Sequence, residues 1–285
     1  MQYKYSLDKS SKKFNCPNCN KKTFVYYIDI ETGNYLAEVY GRCDRESKCG
    51  YFKSPSFQKP LSKIHYSSEA KQPSYLSENL IGKYCNGYDN NNFINFLLKH
   101  FSEEEVIQAI EKYYIGTSSH WKGATIFFQI DCHLRICTGK IMLYDGNTGK
   151  RVKKPFPHIN WLHKLLNVKQ FVLQQCLFGL HLLNDNEEKK TICVVESEKT
   201  ALIMSMLLPS YLWMATGSKT NLKLSILKPL KNHKIIVYPD NFEFIDWSKK
   251  TKLLKYHGFN IICSSLLEGL NLNAGDDLAD FILLI

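Results

Sequence analysis

The chain has 285 residues, 44% of them hydrophobic and 22% charged, a globular balance that excludes a chain disordered throughout, a collagen-like repeat and a coiled coil. Lys and Arg number 37 against 27 Asp and Glu, a net charge of +10. No apolar run reaches the roughly 18 residues of a membrane span, and the polar opening MQYKYSLDKSSKK does not read as an export signal, so a cytoplasmic protein with no membrane partner is expected.

The excess charge is uneven. Residues 1–75 hold 13 basic and 7 acidic groups, residues 76–190 hold 14 and 11, and residues 191–285 hold 10 and 9. A basic N-terminal part predicts a polyanion partner, and a lysine-rich proteome is the plain alternative.

Residues 14–52 contain Cys16-x-x-Cys19 and, after 23 residues, Cys43-x5-Cys49. Two strand-like runs between the pairs, Thr23–Asp29 and Tyr35–Gly41, flank a turn at 31–34 and predict a hairpin that returns the second pair to the first. Four thiolates around one point suit tetrahedral Zn²⁺, and soft sulfur ligation selects it over hard cations. Four reduced thiols in a small β unit are the alternative, but about 35 residues hardly fold without a metal. Lys21, Lys22, Arg42, Arg45 and Lys48 surround the cysteines, with Phe14, Phe24, Tyr26, Tyr27 and Tyr40 between them. Such a surface neutralises phosphates and stacks on unpaired bases, or the aromatics pack the hairpin and the lysines solvate it. The other six cysteines are scattered and read as buried thiols.

Residues 53–75, rich in Ser, Lys and Pro, read as a linker. Residues 91–115 read as helical, with Ser102 and Glu105 as a capping box. Two strands follow within 123–144, then a basic patch, Lys150-Arg151-Val152-Lys153-Lys154. Residues 161–183 read as helical and partly buried. His158, His163 and His181 lack metal-ligand spacing and read as packing or surface residues.

From residue 191 strand and helix alternate: TICVVE, then SEKTALIMSMLL, LWMATGS, LKLSILKPLK, KIIVYPD, FIDWSKKTKLLKYHG, FNIICSS and DDLADFILL. That order implies a mostly parallel α/β sheet, whose ligands sit beyond the carboxyl ends of its strands. Glu196 and Asp240 fall at such ends, and Asp276, Asp277 and Asp280 lie near another. Gathered carboxylates there hold Mg²⁺, which in turn holds phosphates; the alternative is helix N-caps and first-turn acids. Thr216–Lys219 offers a second phosphate approach or a plain turn.

These last motifs resemble the Toprim family. VVESEKTALIMS looks like its first motif, IIVYPDN like its second, and GDDLADFI like the Asp-x-x-Asp end of primase-type Toprim domains. Upstream, GATIFFQID with GKIMLYDGNTGKRVK is similar to the strand pair that precedes Toprim in bacterial replicative primases. With a zinc ribbon in front, the whole chain is similar to the Toprim-like zinc-finger proteins of Bacteroidetes genomes and mobile elements. The resemblance implies that Glu196 acts as general acid or base and that Asp240, with Asp277 and Asp280, binds Mg²⁺. It also implies that Arg135, Lys140, Lys150, Arg151, Lys153 and Lys154 line a template or nucleotide channel, a solvated basic hairpin being the alternative. The chain departs from the motif at Phe242, where a second aspartate is usual. Glu243 is next to it, turned about 100° away on a helix or turn.

The expected fold is therefore α/β: a zinc β-ribbon over 1–52, a linker over 53–75, a primase-like α+β region over 76–190 and a Toprim-like parallel sheet over 191–285. The expected function is nucleic-acid binding in DNA replication or mobile-element maintenance, with degenerate catalysis. An active Mg-dependent primase or a Toprim nuclease is the alternative. Expected partners are single-stranded DNA or RNA, nucleotides, and a helicase or replication protein that recruits the chain.

Overall fold

The computed structural model describes residues 4–45, 48–55, 72–270 and 276–283. The chain forms two compact units, Met1–Ser68 and Glu69–Ile285. The linker expected over 53–75 lies largely outside the described residues. Among them, no helix is long and apolar enough to cross a membrane.

The first unit is an antiparallel sheet of β1 (Tyr5–Leu7), β2 (Phe14–Asn15), β3 (Lys22–Asp29), β4 (Gly41–Cys43) and β5 (Phe52–Lys53). The order is β1-β3-β4-β5, with β2 also on β3. The expected strand over Tyr35–Gly41 is not there. Tyr27 instead bonds two separated residues, accepting from the Leu36 amide at 2.9 Å and donating to the Tyr40 carbonyl at 3.1 Å. The residues between them loop out of the ladder. The partner strand starts at Gly41, where a Cβ would meet the Val25 carbonyl and come within 2.6 Å of the Phe24 ring.

The second unit opens with three helices, α1 (Asn79–Tyr84), α2 (Asn92–Leu97) and α3 (Glu103–Lys112). The single helical stretch expected over 91–115 is thus two. Asn91 caps α2 by accepting from the Phe93 and Ile94 amides, and the Ser102–Glu105 capping box opens α3. An antiparallel sheet follows in sequence order: β6 (Ile115–Ser118), β7 (Ala124–Ile130), β8 (Ile136–Met142) and β9 (Ile159–Trp161), then a single turn α4 (Leu162–Leu165). Strands β7 and β8 are buried along their whole length, hence on both faces. One face packs with Leu76 and Leu162; the other belongs to the main core with Phe127 and Phe178.

Beyond α4, the helix expected over 161–183 does not form. Asn167 and Gln170 take left-handed backbone angles, and a 3₁₀ turn follows only at Leu180–Asp185. The apolar residues here record burial rather than helical period: Leu177 and Phe178 enter the core in extended chain. Phe178 exchanges backbone hydrogen bonds with Ala215 at 2.9 and 3.1 Å.

The remainder alternates as expected: β10 (Ile192–Val195), α5 (Glu198–Leu207), β11 (Leu212–Ala215), α6 (Leu224–Leu227), β12 (Lys234–Val237), α7 (Phe244–Tyr256), β13 (Asn260–Cys263) and α8 (Leu278–Ile282). The four strands are parallel, in the order β11-β10-β12-β13. The shared core joins the two sheets, and the Tyr113 hydroxyl donates to the Trp213 carbonyl at 2.9 Å across it.

Candidate functional site

In the first unit, the sulfurs of Cys16, Cys19, Cys43 and Cys49 all lie within 4.8 Å of one another. Cys16 and Cys49 are 3.7 Å apart, Cys19 and Cys43 4.0 Å. Tetrahedral zinc with Zn–S bonds of about 2.3 Å requires sulfur separations of about 3.8 Å, so the quartet fits the ion. Left-handed Asn20 turns the first knuckle. At the second, the Cys49 amide bonds the Arg45 carbonyl at 2.7 Å, which closes the longer x5 spacing. The Asn18 amide donates to the Cys49 sulfur at 3.4 Å and, as the largest influence on it, favours its thiolate. The buried cluster of this unit is Cys16, Phe24 and Cys43, too small a core to stand alone.

Around the quartet, Lys21, Lys22, Arg42 and Lys48 are exposed and Arg45 is half-buried. The aromatics divide between the two expected roles. Phe14 stacks on Tyr26 at 4.1 Å, and Phe24 meets Tyr26 and Tyr51 edge-on, so these pack the unit. Phe52 stays open on the opposite face beside Tyr27.

In the second unit, Glu196 follows β10 and Asp240 follows β12, neighbouring parallel strands. Both line a cleft of about 380 Å³, with Asp276, Asp277 and Asp280 among the acids and Lys140, Lys150, Arg151 and Lys153 among the bases. Lys154 is exposed outside it. Burial raises the Asp240 carboxyl to about 8, helped by the charges of Glu196, Asp277, Asp280 and Glu243. Burial and the Glu243 charge also raise Glu196. Burial and mutual repulsion of the acids thus disfavour the charged form of both carboxyls, the opposite of what a bound cation would do.

Asp277 and Asp280 are held by the protein. Asp277 caps α8, accepting from the Ala279 and Asp280 amides at 2.9 and 3.0 Å. It also accepts from the Thr200 hydroxyl at 2.5 Å. Asp280 completes the capping box and pairs with Lys199 at 2.8 Å. An all-oxygen donor set suits Mg²⁺ rather than zinc. Among the described residues, though, three or more ligand atoms converge within 4.8 Å at the cysteine quartet and not in the cleft.

Phe242 sits at a left-handed backbone angle, φ 70°, and is 69% exposed, so its ring faces solvent rather than the acids. Glu243 pairs with Lys219 at 3.0 Å, while its amide donates to the Asp240 carbonyl. From the Thr216–Lys219 turn, Gly217 reaches the cleft and its amide bonds the Glu196 carbonyl at 2.8 Å.

Sequence reasoning missed Glu198 and Lys199. Glu198 opens α5 and is 1% exposed. Its Oε2 lies 3.1 Å from the Lys140 Nζ, which also donates to the Gly217 carbonyl at 2.8 Å. Lys140, expected in a channel, is thus a buried part of the cleft wall. The only signal available was the Glu-x-Glu-Lys run at 196–199. Of the other histidines, His163 bonds Thr138 at 2.8 Å and His181 the Lys112 carbonyl at 3.0 Å, both as packing residues.

Residues 3–62 match a zinc beta-ribbon finger family, in agreement with the cysteine geometry. Among solved structures, the chain is similar to the RNA polymerase domain of Mycobacterium tuberculosis primase DnaG, with 11% identity over 72% of this chain and 76% of that one and a TM-score of 0.48. The Aquifex aeolicus primase, zinc-binding and RNA polymerase domains, matches with 14% identity over 98% and 77% at a TM-score of 0.45. The primase fragment of the bacteriophage T7 primase-helicase protein matches with 17% identity over 96% and 94% at 0.43. No curated protein matches the sequence. Residues 91–241, more than half of the chain, match DUF6371, a domain of unknown function, and the chain belongs to that family.

Proposed function

We propose that this chain is a primase-related, Toprim-like protein that binds single-stranded nucleic acid, in DNA replication or in the maintenance of a mobile element, and that its catalytic site is degenerate. One observation carries the reading. Glu196 and Asp240 meet at the ends of adjacent parallel strands in a cleft that Lys150, Arg151 and Lys153 also line, while Phe242 turns an apolar ring to solvent. Basic groups around an acidic centre suit a phosphodiester held beside a metal ion. Two-metal transfer needs ligands for both the attacking and the leaving oxygen, and this chain offers fewer. Mg²⁺ keeps several waters, so Glu196 and Asp240, with Asp277 and Asp280 in support, bind one ion weakly. In this reading residues 1–52 form the zinc ribbon, 53–75 link it, 76–190 form the primase-like region and 191–285 the Toprim-like sheet.

The alternative is an active Mg-dependent primase or nuclease. It is favoured by Glu243, whose charge already reaches Glu196 and Asp240. Primer synthesis and nuclease assays on wild type, Glu196→Gln and Phe242→Asp separate the two. Degeneracy predicts little or no wild-type turnover; activity that appears only in Phe242→Asp would show a site intact except for that ligand. Robust wild-type synthesis abolished by Glu196→Gln establishes the enzyme instead.

A further inference from the structure

Next to the acidic cleft, a second surface combines charge with exposed aromatic rings. Residues 146–184 carry six basic and no acidic side chains. Four of the six are Lys150, Arg151, Lys153 and Lys154, none of them in a salt bridge among the described residues. Positive groups this close repel one another, so the surface is suited to a polyanion.

Four rings from distant parts of the sequence form a continuous ledge on this surface. His120 lies 4.3 Å from Trp121, Trp121 meets His158 edge-on at 5.1 Å, and Phe156 stacks on His158 at 4.6 Å. Hydrogen bonds fix the two imidazoles. The Asn160 amide lies 3.1 Å from His120 Nε2, and His158 Nδ1 lies 3.3 Å from the Val152 carbonyl. A carbonyl only accepts, so His158 Nδ1 carries the proton. Trp121 roots the ledge in the core, whereas Phe156 is 52% exposed. A phenylalanine half in water among lysines is poorly placed for packing and well placed to receive a flat ligand.

Arg151 and Lys153 line both the acidic cleft and a shallow hollow of about 270 Å³ that they share with Pro157, His158 and Ile159. The ledge is therefore continuous with the cleft through two cations.

We propose that this ledge is a base-stacking platform for single-stranded DNA: Phe156, backed by His158, receives an unpaired base while Arg151, Lys153 and Lys154 hold the phosphates that lead into the cleft. The proposal rests on the nucleic-acid reading above and gives it a location. Stacking accepts every base, so the platform binds without sequence preference.

The test is the affinity of the full chain for a fluorescent oligothymidine across a salt series, with inorganic polyphosphate as a second ligand. Phe156→Ala is expected to weaken oligothymidine about tenfold, with Phe156→Tyr near wild type, because one stacked base is lost and regained. Its salt slope is expected to stay unchanged, since no phosphate contact is removed, whereas Lys153→Ala lowers the slope by about one. Polyphosphate binding is expected to ignore Phe156→Ala. Oligothymidine binding by Phe156→Ala at wild-type strength overturns the platform alone, as does an equal loss of polyphosphate binding. No oligothymidine binding by wild type overturns the nucleic-acid reading together with it.

Discussion

Lys140 of β8 and Glu198 of α5 form an ion pair inside the protein, 3.1 Å between Nζ and Oε2, with the two residues 7% and 1% exposed. The pair joins the antiparallel sheet to the first helix of the parallel one, and the Gly217 carbonyl takes a second lysine proton. Among the described residues, the other Glu198 oxygen has no hydrogen-bond partner. A Cβ on Gly217 would come within 2.7 Å of that oxygen, so the turn needs glycine there.

Removing one member leaves the other as an uncompensated charge. Lys140→Met is expected to cost about 3–5 kcal/mol in urea unfolding, and Lys140→Met with Glu198→Gln to recover much of it. A double variant no more stable than the single one contradicts a stability role for the pair.

Purified protein is expected to hold about one Zn²⁺ per chain. Cys16→Ser with Cys19→Ser is expected to lose the ion and to expose residues 1–52 to proteolysis. Retention of zinc by that double variant, on elemental analysis, removes the assignment.

Asp240 gives stability a pH dependence of definite sign. Its carboxyl is raised from an ordinary 3.8 to about 8, so between those values the folded chain keeps a proton that the unfolded chain has released. In chelator, stability should fall as pH rises through this window, and Asp240→Asn should flatten the fall. Mg²⁺ should lessen it for wild type alone. Unfolding midpoints in denaturant at several pH values decide the point; equal slopes in both proteins rule it out.

Asp277 is expected to matter to folding as well as to any metal. Asp277→Ala removes the α8 cap and the acceptor of the Thr200 hydroxyl, at a cost of about 1–2 kcal/mol. Asp277→Asn keeps a good cap and should cost less. Equal losses in thermal unfolding argue for a role of the charge instead.

The features legible in the sequence were local or periodic. Cysteine spacing located the metal quartet, Ser102 and Glu105 marked the start of α3, and alternating strands and helices placed Glu196 and Asp240 at strand ends. What escaped required tertiary contact. Lys140 and Glu198 are 58 positions apart in the chain and meet only once both sheets are packed. Within residues 161–183, Leu177, Phe178, Leu180 and Leu182 are apolar because they fill the core, while Val168 and Leu173 stay exposed, so the apolar content follows no helical face. Phe242 gives no sign in its residue type of the left-handed angle that turns it outward.

The short bridge at Phe178 bears on how the molecule behaves at high concentration. Along β11 the groups facing away from β10 belong to Trp213 and Ala215, and an open row of such groups is a template for a strand from another chain. Here Phe178 occupies both backbone groups of Ala215, and the Tyr113 hydroxyl occupies the Trp213 carbonyl. That flank of the parallel sheet is largely closed to intermolecular strand addition, which leaves β13 as the more open edge of this sheet.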